Sequence, residues 1–342
     1  MDVRIVVCGL GRVGQAFVNL LIQKSKDLQK RYDLNLKVVA AVDIGGAALS
    51  PTGLPLEGLM THLKKGGKVE DMPGFGKKGL SGKDALSSIP ADLLVETTPT
   101  NIKDGEPGMT HLRTALAHGK HVVTAAKGPL VLRYKELKDL ADKSKVKLMI
   151  SAATAAALPT LDVGLTCLAG TEVLNAEGIL NGTTNYILTR MYEEGTPYQD
   201  ALVEAQKMGV AEPDPSLDVE GRDTANKILL IANEVLQAGL SLKDIPVEGI
   251  TRVTPEDIQK AKKEGKVIKL IGKAEKKNGK VVASVAPMSL PLDHPLATVR
   301  GTEKAISYLT DTMDRVTVSG GKSNPVGAAA AVLKDIIRIY EK

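Results

Sequence analysis

Five carboxylates, Glu212, Asp214, Asp218, Glu220 and Asp223, precede a single lysine, Lys227, in the stretch AEPDPSLDVEGRDTANK at Ala211–Lys227. Pro213 and Pro215 fix φ and remove backbone donors, so the first half is expected to be a stiff, non-helical turn. From about Glu220 the apolar residues of ANKILLIANEVL recur at helical spacing. Asp223 and Lys227 then stand at i and i+4 on one helical face, near its start. On a plain surface helix such a pair is worth only about 0.3–0.5 kcal/mol. Here an acid-rich, proline-stiffened turn feeds directly into the helix. That arrangement offers several carboxylates and one ammonium to a small polar ligand.

A second chemical signal opens the chain. Arg4–Cys8 is an apolar, β-branched run, followed by Gly9-Leu10-Gly11-Arg12-Val13-Gly14, a helical pattern, and a second strand ending at Asp43. Strand, glycine turn, helix and strand together are the context a dinucleotide fingerprint requires. Gly9 permits the tight turn, Gly11 lets the backbone approach a pyrophosphate, and Gly14 allows close helix–strand packing. The free amides at the helix start would hold the anion. Asp43, placed to bind both ribose hydroxyls, predicts a preference for NAD(H) over NADP(H), whereas Arg12 is positioned to reach a 2′-phosphate.

The glycine pattern, GILNGTTNYIL at Gly178–Leu188 and the acidic stretch ending at Lys227 together resemble the homoserine dehydrogenase family. The likeness runs from Val3 to Lys227 and continues more weakly to about Asp335. It implies NAD(P)-dependent interconversion of L-homoserine and L-aspartate 4-semialdehyde by hydride transfer, in threonine and methionine biosynthesis. By resemblance, Lys227 is the acid–base group beside the reacting oxygen, and Asp223 positions Lys227 or the substrate. An ordinary lysine stays protonated near neutrality, so its neighbours would have to tune it. Glu212 would take the substrate ammonium or hydroxyl, with Asp218 as a further acid of the same loop. Lys127, in VVTAAKGPL, matches the family's other active-site lysine, and Ala126 stands where relatives commonly carry Asn. Gly182 and Thr183 would approach the substrate, the glycine because a side chain would collide and Thr183 also capping the following helix. Thr98, Pro99 and Thr100 would line the nicotinamide side. Relatives often show a glutamate and a glycine-rich turn where this chain reads SAATAAALP at Ser151–Pro159. A structural monovalent cation held there in some members is therefore not expected, and no metal ligands are assigned.

The remaining elements must position these groups. Gly45–Ser88 reads as loops with a short helix around Gly58–Lys65. Strands at Asp92–Pro99 and HVVTAA alternate with helices at Met109–His118 and Tyr134–Lys143, which argues for a Rossmann-type, doubly wound parallel sheet over residues 1–148. Beyond it, Leu174–Leu180, Lys266–Glu275, Val281–Ser289 and Tyr308–Ser319 read as strands of an α+β catalytic and dimerisation domain, residues 149–319, with a mainly antiparallel sheet. Asn278-Gly279 is a hairpin signal between two of them. The resemblance brings a C-terminal helix, within 320–342, back to the nucleotide domain and implies a homodimer.

Composition bounds the alternatives. The 342 residues hold two cores, with no apolar run of membrane-spanning length and no secretory pattern at the first strand, so a cytoplasmic enzyme is expected. The charge of +5 lies in mixed runs such as KKEGKVIK, and with no Trp and two Phe a nucleic-acid groove is not expected. Cys8 and Cys167 both read as small buried hydrophobes. That leaves no activated thiol for an aspartate-semialdehyde dehydrogenase, which needs one with a histidine base. A non-catalytic dinucleotide sensor would keep Gly9, Gly11 and Gly14 but has no use for Glu212, Asp223, Lys227 and Lys127 together. Only Tyr340-Glu341-Lys342 follow the last helix, so no regulatory module is expected, and threonine is expected not to inhibit allosterically.

Overall fold

A computed structural model describes residues 1–321 and 324–341; Lys322, Ser323 and Lys342, part of the expected 320–342 segment, lie outside the described residues. The chain divides into two units, Met1–Ala156 with Asn324–Lys342, and Ala157–Ser323.

In the first unit the order is β1 (Asp2–Cys8), α1 (Arg12–Tyr32), β2 (Asn35–Asp43), β3 (Gly46–Leu49), α2 (Leu56–Lys64), β4 (Gly76–Lys78) and α3 (Gly82–Ser88). Then come β5 (Leu93–Glu96), α4 (Gly108–Ala117), β6 (His121–Thr124), α5 (Lys127–Lys143), β7 (Leu148–Met149) and α6 (Ser151–Ala155). The sheet runs β4-β3-β2-β1-β5-β6-β7, with β2, β1, β5, β6 and β7 parallel. Its β-branched central strand is buried on both faces, as a parallel strand between helices must be. Val3, Ile5 and Val7 share a core with Phe17, Val18 and Leu21 of α1. The stretch expected to be loops contributes β3 and β4, antiparallel at the sheet edge. Strands of four and three residues, GAAL and GKK, are too short to show an alternation. Helix α5 starts at Lys127, ahead of the expected Tyr134, because two helical stretches join across a kink at Arg133 (φ −143°). Pro129 is tolerated there because the first helical turn has no use for its missing N–H.

The second unit contains α7 (Thr160–Asp162), β8 (Val173–Ile179), α8 (Gly182–Glu194), α9 (Tyr198–Lys207), α10 (Ser216–Val219), α11 (Arg222–Val235) and α12 (Pro255–Lys263). The strands β9 (Lys266–Lys277), β10 (Lys280–Pro291), β11 (Lys304–Thr310) and β12 (Arg315–Gly320) follow. Its sheet, β10-β9-β8-β11-β12, is antiparallel throughout. Asn278 and Gly279 close the β9–β10 hairpin with φ of 52° and 76°, as a two-residue turn matching strand twist requires. The single strand expected over Tyr308–Ser319 is instead the β11–β12 hairpin. Its turn is held by Thr310 N donating to Asp314 O (2.9 Å) and by Asp314 at φ 54°. Cys167 is exposed, contrary to expectation: it ends a one-turn helical segment, Val163–Cys167, of which only Val163 and Gly164 are buried, while Leu165 and Thr166 are exposed with it. The proline-stiffened turn also winds into α10, which periodicity did not reveal.

The last element, α13 (Pro325–Tyr340), belongs to the first unit, where it packs on α1 and α6. Asp335, fully buried on α13, accepts from Ser151 N (3.0 Å) and Ser151 Oγ (2.7 Å). This ties α6 to the first unit, so that unit extends to Ala156, past the expected residue 148.

Candidate active site

In the second unit the chemistry gathers where β8 gives way to α8 and α10 gives way to α11. Gly221, at φ 82°, turns the chain sharply enough to start α11 at Arg222, which puts Asp223 in its first turn. Lys227, one turn on, donates to Asp223 Oδ2 (2.5 Å) and to the carbonyl oxygen of Leu180 at the end of β8 (2.7 Å). Asp223 is 5 % exposed and the Lys227 side chain 13 %, so this pair is not the screened surface contact its spacing alone would suggest.

Asn181 joins the remaining parts, and sequence reasoning missed it. Its Oδ1 caps α8 by accepting from Thr184 N (3.0 Å), which fixes the amide so that Nδ2 faces the acids. Nδ2 donates to Asp218 Oδ1 (2.6 Å) and to Asp223 Oδ2 (3.0 Å). Burial, followed by the charge on Asp223, raises the Asp218 carboxyl above its ordinary range. The Thr183 and Asn181 hydrogen bonds and the Lys227 charge oppose that rise. Two carboxylates around one ammonium make a site with negative charge to spare, suited to a ligand that brings a cation.

The other sequence-predicted residues fall around this centre unevenly. Thr183 does not cap α8; its hydroxyl donates to Val210 O (3.1 Å). Gly182 starts α8, where a Cβ would stand 2.9 Å from Thr302 O, so the fold itself already requires glycine there. Of the five acids only Asp218 and Asp223 converge. Asp214 accepts from Ser216 N (3.1 Å) and Glu220 pairs with Arg222 (2.8 Å). Glu212 is exposed, with only its carbonyl oxygen bound, to Gln206 Nε2 (3.3 Å).

In the first unit the glycine turn has the form that a pyrophosphate needs. Gly9 takes φ 90°, and Gly14 leaves room for its carbonyl. A Cβ on Gly11 would meet nothing within 4 Å, so open space lies over the turn. Gly11 is the N-cap of α1 without a side-chain cap bond, which leaves the amides of Arg12, Val13 and Gly14 to an anion. Leu10 is buried beneath, its carbonyl held by Gln15 Nε2 (2.7 Å), and the Arg12 side chain is exposed. Asp43 ends β2 exposed, with Oδ1 accepting from Ile44 N (2.9 Å). These residues fit a dinucleotide.

A buried brace lies behind the same turn. Thr97 Oγ1 donates to Gly9 O (2.7 Å), and the Thr98 amide donates to Glu96 Oε1 (2.7 Å). The other oxygen of Glu96, a fully buried side chain, accepts from His111 Nδ1 (2.7 Å). Cys8, Glu96 and His111 bring potential ligand atoms within 4.8 Å of one another. Both carboxylate oxygens are already taken, so hydrogen bonding accounts for the group without a metal. Glu96 was read only as part of a strand, yet it orders the Thr98 end of the segment whose Pro99 and Thr100 are exposed. Thr98 Oγ1 is buried with no protein partner, an acceptor and donor left for a ligand or water. Lys127 is the first residue of α5, half-buried behind Ala126, whose amide donates to Thr124 Oγ1 (3.0 Å). In the alanine-rich segment Ser151 O accepts from Thr154 Oγ1 (2.9 Å), and Ala156 takes φ 55°.

Comparison with known proteins gives the family. Residues 159–337 match the family model described as homoserine dehydrogenase, and residues 9–151 match that of the homoserine dehydrogenase NAD binding domain. The chain is 42 % identical to a homoserine dehydrogenase of Methanocaldococcus jannaschii, over 98 % of each chain. It is 35 % identical to a protein of Pseudomonas canavaninivorans named NAD(+)-dependent homoserine dehydrogenase, over 99 % of this chain and 97 % of that one. The crystal structure of a putative homoserine dehydrogenase from Archaeoglobus fulgidus superposes with a TM-score of 0.88 at 35 % identity, covering 99 % of this chain and 100 % of the other.

Proposed function

We propose a division of labour among these side chains from one premise: the chain belongs to the homoserine dehydrogenase family. Its reaction is therefore the NAD(P)-dependent interconversion of L-homoserine and L-aspartate 4-semialdehyde, a step of threonine and methionine biosynthesis. The observation that carries the site reading is the chain of contacts from Leu180 O through Lys227, Asp223 and Asn181 to Asp218.

The dinucleotide supplies a hydride to the aldehyde carbon, or removes one from the alcohol carbon. Lys227 stands beside the oxygen of that carbon. In reduction it gives the oxygen a proton as negative charge builds up there, and in oxidation it takes the hydroxyl proton back. Asp223 and Leu180 O hold the ammonium in place, so little reorganisation is needed at the moment of transfer. Asp218 receives the substrate ammonium, with Glu212 joining from its exposed position. Thr183 and the bare backbone at Gly182 form the wall against which the amino-acid head rests. In the first unit, Lys127 at the start of α5 is the second active-site lysine, and Thr98, Pro99 and Thr100 line the nicotinamide side. The amides of the Gly9–Gly14 turn would hold the pyrophosphate.

Asp43 gives NAD(H) the advantage, since its exposed carboxylate suits ribose hydroxyls and repels a 2′-phosphate. The named NAD(+) dependence of the Pseudomonas relative supports this choice. A homodimer is proposed from the family resemblance; β12, at the edge of the second unit's sheet, leaves Arg315, Thr317 and Ser319 exposed. A cytoplasmic location suits two free cysteines. Among the described residues no helix is long and apolar enough to cross a membrane. Cys8 is unfit as a nucleophile, because burial, then the charge on Glu96, pushes its thiol well up.

Oxidation of NADH and NADPH by aspartate semialdehyde, followed in the absence and presence of phosphate, tests the function. Phosphate-independent turnover is expected, with homoserine supporting the reverse reaction. Turnover in the acylating direction that requires phosphate would refute it.

A further inference from the structure

Two adjacent glycines, Gly45 and Gly46, leave room for one side chain from a distant segment, and a third, Gly76, leaves room for that residue's backbone. Glu70 lies in the 3-10 turn Val69–Asp71, between α2 and β4. A Cβ on Gly45 would fall on its carboxylate, 2.9 Å from Oε2 and nearer still to the other carboxylate atoms. A Cβ on Gly46 would stand 2.9 Å from Glu70 Cβ, and one on Gly76 would stand 2.7 Å from its carbonyl carbon. Nothing in the β2–β3 turn needs glycine at position 45 for backbone reasons, since only Gly46 of that pair has positive φ. The missing side chain at Gly45 instead lets the Glu70 carboxylate lie against the turn that begins at Asp43.

Glu70 is half-buried and accepts no hydrogen bond or ion pair from any described residue, whereas its neighbour Asp71 is paired with Lys78 (3.2 Å). Neither of its carboxylate oxygens is among the buried side-chain atoms that lack a partner, so the unpaired acid stays open to solvent and to a ligand. Ile44, next to Asp43 in the same turn, is fully exposed, an apolar side chain facing solvent at the tip of the second strand, where the adenosine end of a dinucleotide would pass.

We infer that Glu70 is a second carboxylate at the adenosine-ribose end of the dinucleotide site, and that it discriminates against a 2′-phosphate alongside Asp43. The inference rests on the reading of Asp43 as the ribose-binding acid. Two fixed negative charges flank one turn, and a phosphate dianion brought beside them meets repulsion from both. Arg12 on the opposite, glycine-turn side offers the phosphate one cation, which one acid alone would leave roughly balanced. A second acid tips the balance.

The test is kcat/KM with NADP relative to NAD for the wild type, Glu70→Gln, Glu70→Asp, Asp43→Asn and the Glu70→Gln/Asp43→Asn double variant. Dissociation constants of ADP-ribose and 2′-phospho-ADP-ribose are measured in parallel. Glu70→Gln keeps the shape and removes the charge, and is expected to raise the NADP:NAD ratio about fivefold. Glu70→Asp keeps the charge and is expected to stay within about twofold of wild type. Equal shifts for Gln and Asp, or no shift with Gln while Asp43→Asn moves the ratio, would overturn the role of Glu70 and leave the Asp43 reading intact. If Asp43→Asn alone leaves the ratio unmoved, the Asp43 reading fails, and a retained Glu70→Gln shift in the 2′-phospho-ADP-ribose constant would still assign the discrimination to Glu70.

Discussion

Asn181 offers the sharpest test of the proposed catalytic centre, because two of its jobs can be separated. Its Oδ1 caps α8 and its Nδ2 bridges Asp218 and Asp223. Serine caps helices about as well as asparagine, so Asn181→Ser should cost only a few tenths of a kcal/mol in helix stability. It has no amide to reach the two carboxylates. Hydrogen bonds to charged groups are worth roughly 1.5–3 kcal/mol, and each 1.4 kcal/mol is tenfold, so kcat/KM should fall roughly 10- to 100-fold. The Asn181 bond is one of the influences holding the Asp218 carboxyl down, and without it that group rises further. The acidic limb of the pH–rate profile should therefore move to higher pH, which loss of a cap alone would not do. Asn181→Asp keeps the cap and adds a third carboxylate, so it should be worse than serine in both activity and melting temperature. The assay is homoserine oxidation across pH 5–10 with thermal unfolding measured beside it. A serine variant within threefold of wild type, or an aspartate variant more active than serine, would refute the argument.

Lys227→Ala should remove nearly all turnover while dinucleotide binding persists; retention of a tenth of kcat, a loss of only about 1.4 kcal/mol, would disprove the proton-transfer role. Asp218 has a raised carboxyl pKa in the fold, so its contribution is present at low pH and lost as pH rises through that value. Asp218→Asn should therefore unfold at higher temperature than wild type near neutrality, the gain vanishing in acid, and with weaker homoserine binding; a variant less stable at pH 7 would contradict this. Lys269, buried at 2 % exposure on β9, is lowered by burial from 10.5 to about 8. The folded state then holds fewer protons than the unfolded one between those values, so stability should rise with pH across the window, by on the order of 3 kcal/mol in all, and Lys269→Met should lack that slope in denaturant titrations. Ala156 at φ 55° is strained where glycine is not, and Ala156→Gly should stabilise by about 1 kcal/mol; an unchanged or lower midpoint would show the strain is absent.

The parts of this fold legible in the sequence are those where one local signal sufficed. The run of Val and Ile in β1, the spaced glycines and the period of α1 each speak for themselves, and the parallel core followed from their order. Asn278-Gly279 announced its hairpin because few other residues accept two consecutive positive φ angles. What stayed hidden depended on partners distant in sequence. The short strand β3 exists only because β2 offers hydrogen bonds to it, and the edge strand β4 because β3 does in turn. Cys167 sits in an apolar stretch, yet it is exposed together with Leu165 and Thr166 in the Val163–Cys167 segment, which composition does not reveal.

The site shows the same division more sharply. Asp223 and Lys227 were readable because i,i+4 spacing is a property of one helix. The convergence of Asp218 with Asp223 was not, and neither was the divergence of Glu212, Asp214 and Glu220, since proximity in sequence says nothing about direction once a turn and a short helix intervene. Asn181 lay in plain view within the NGTT motif, as a good N-cap type before a helix. Its cap was attributed to Thr183 two residues later, which was an error of register. Placing the cap at Asn181 decides the orientation of its amide, and the amide decides which carboxylates it can serve. A cap at Asn181 instead of Thr183 therefore points to the residue that joins Asp218 to Asp223. The Glu70 carboxylate carried no such local clue, since the space it fills is made by glycines on two other segments.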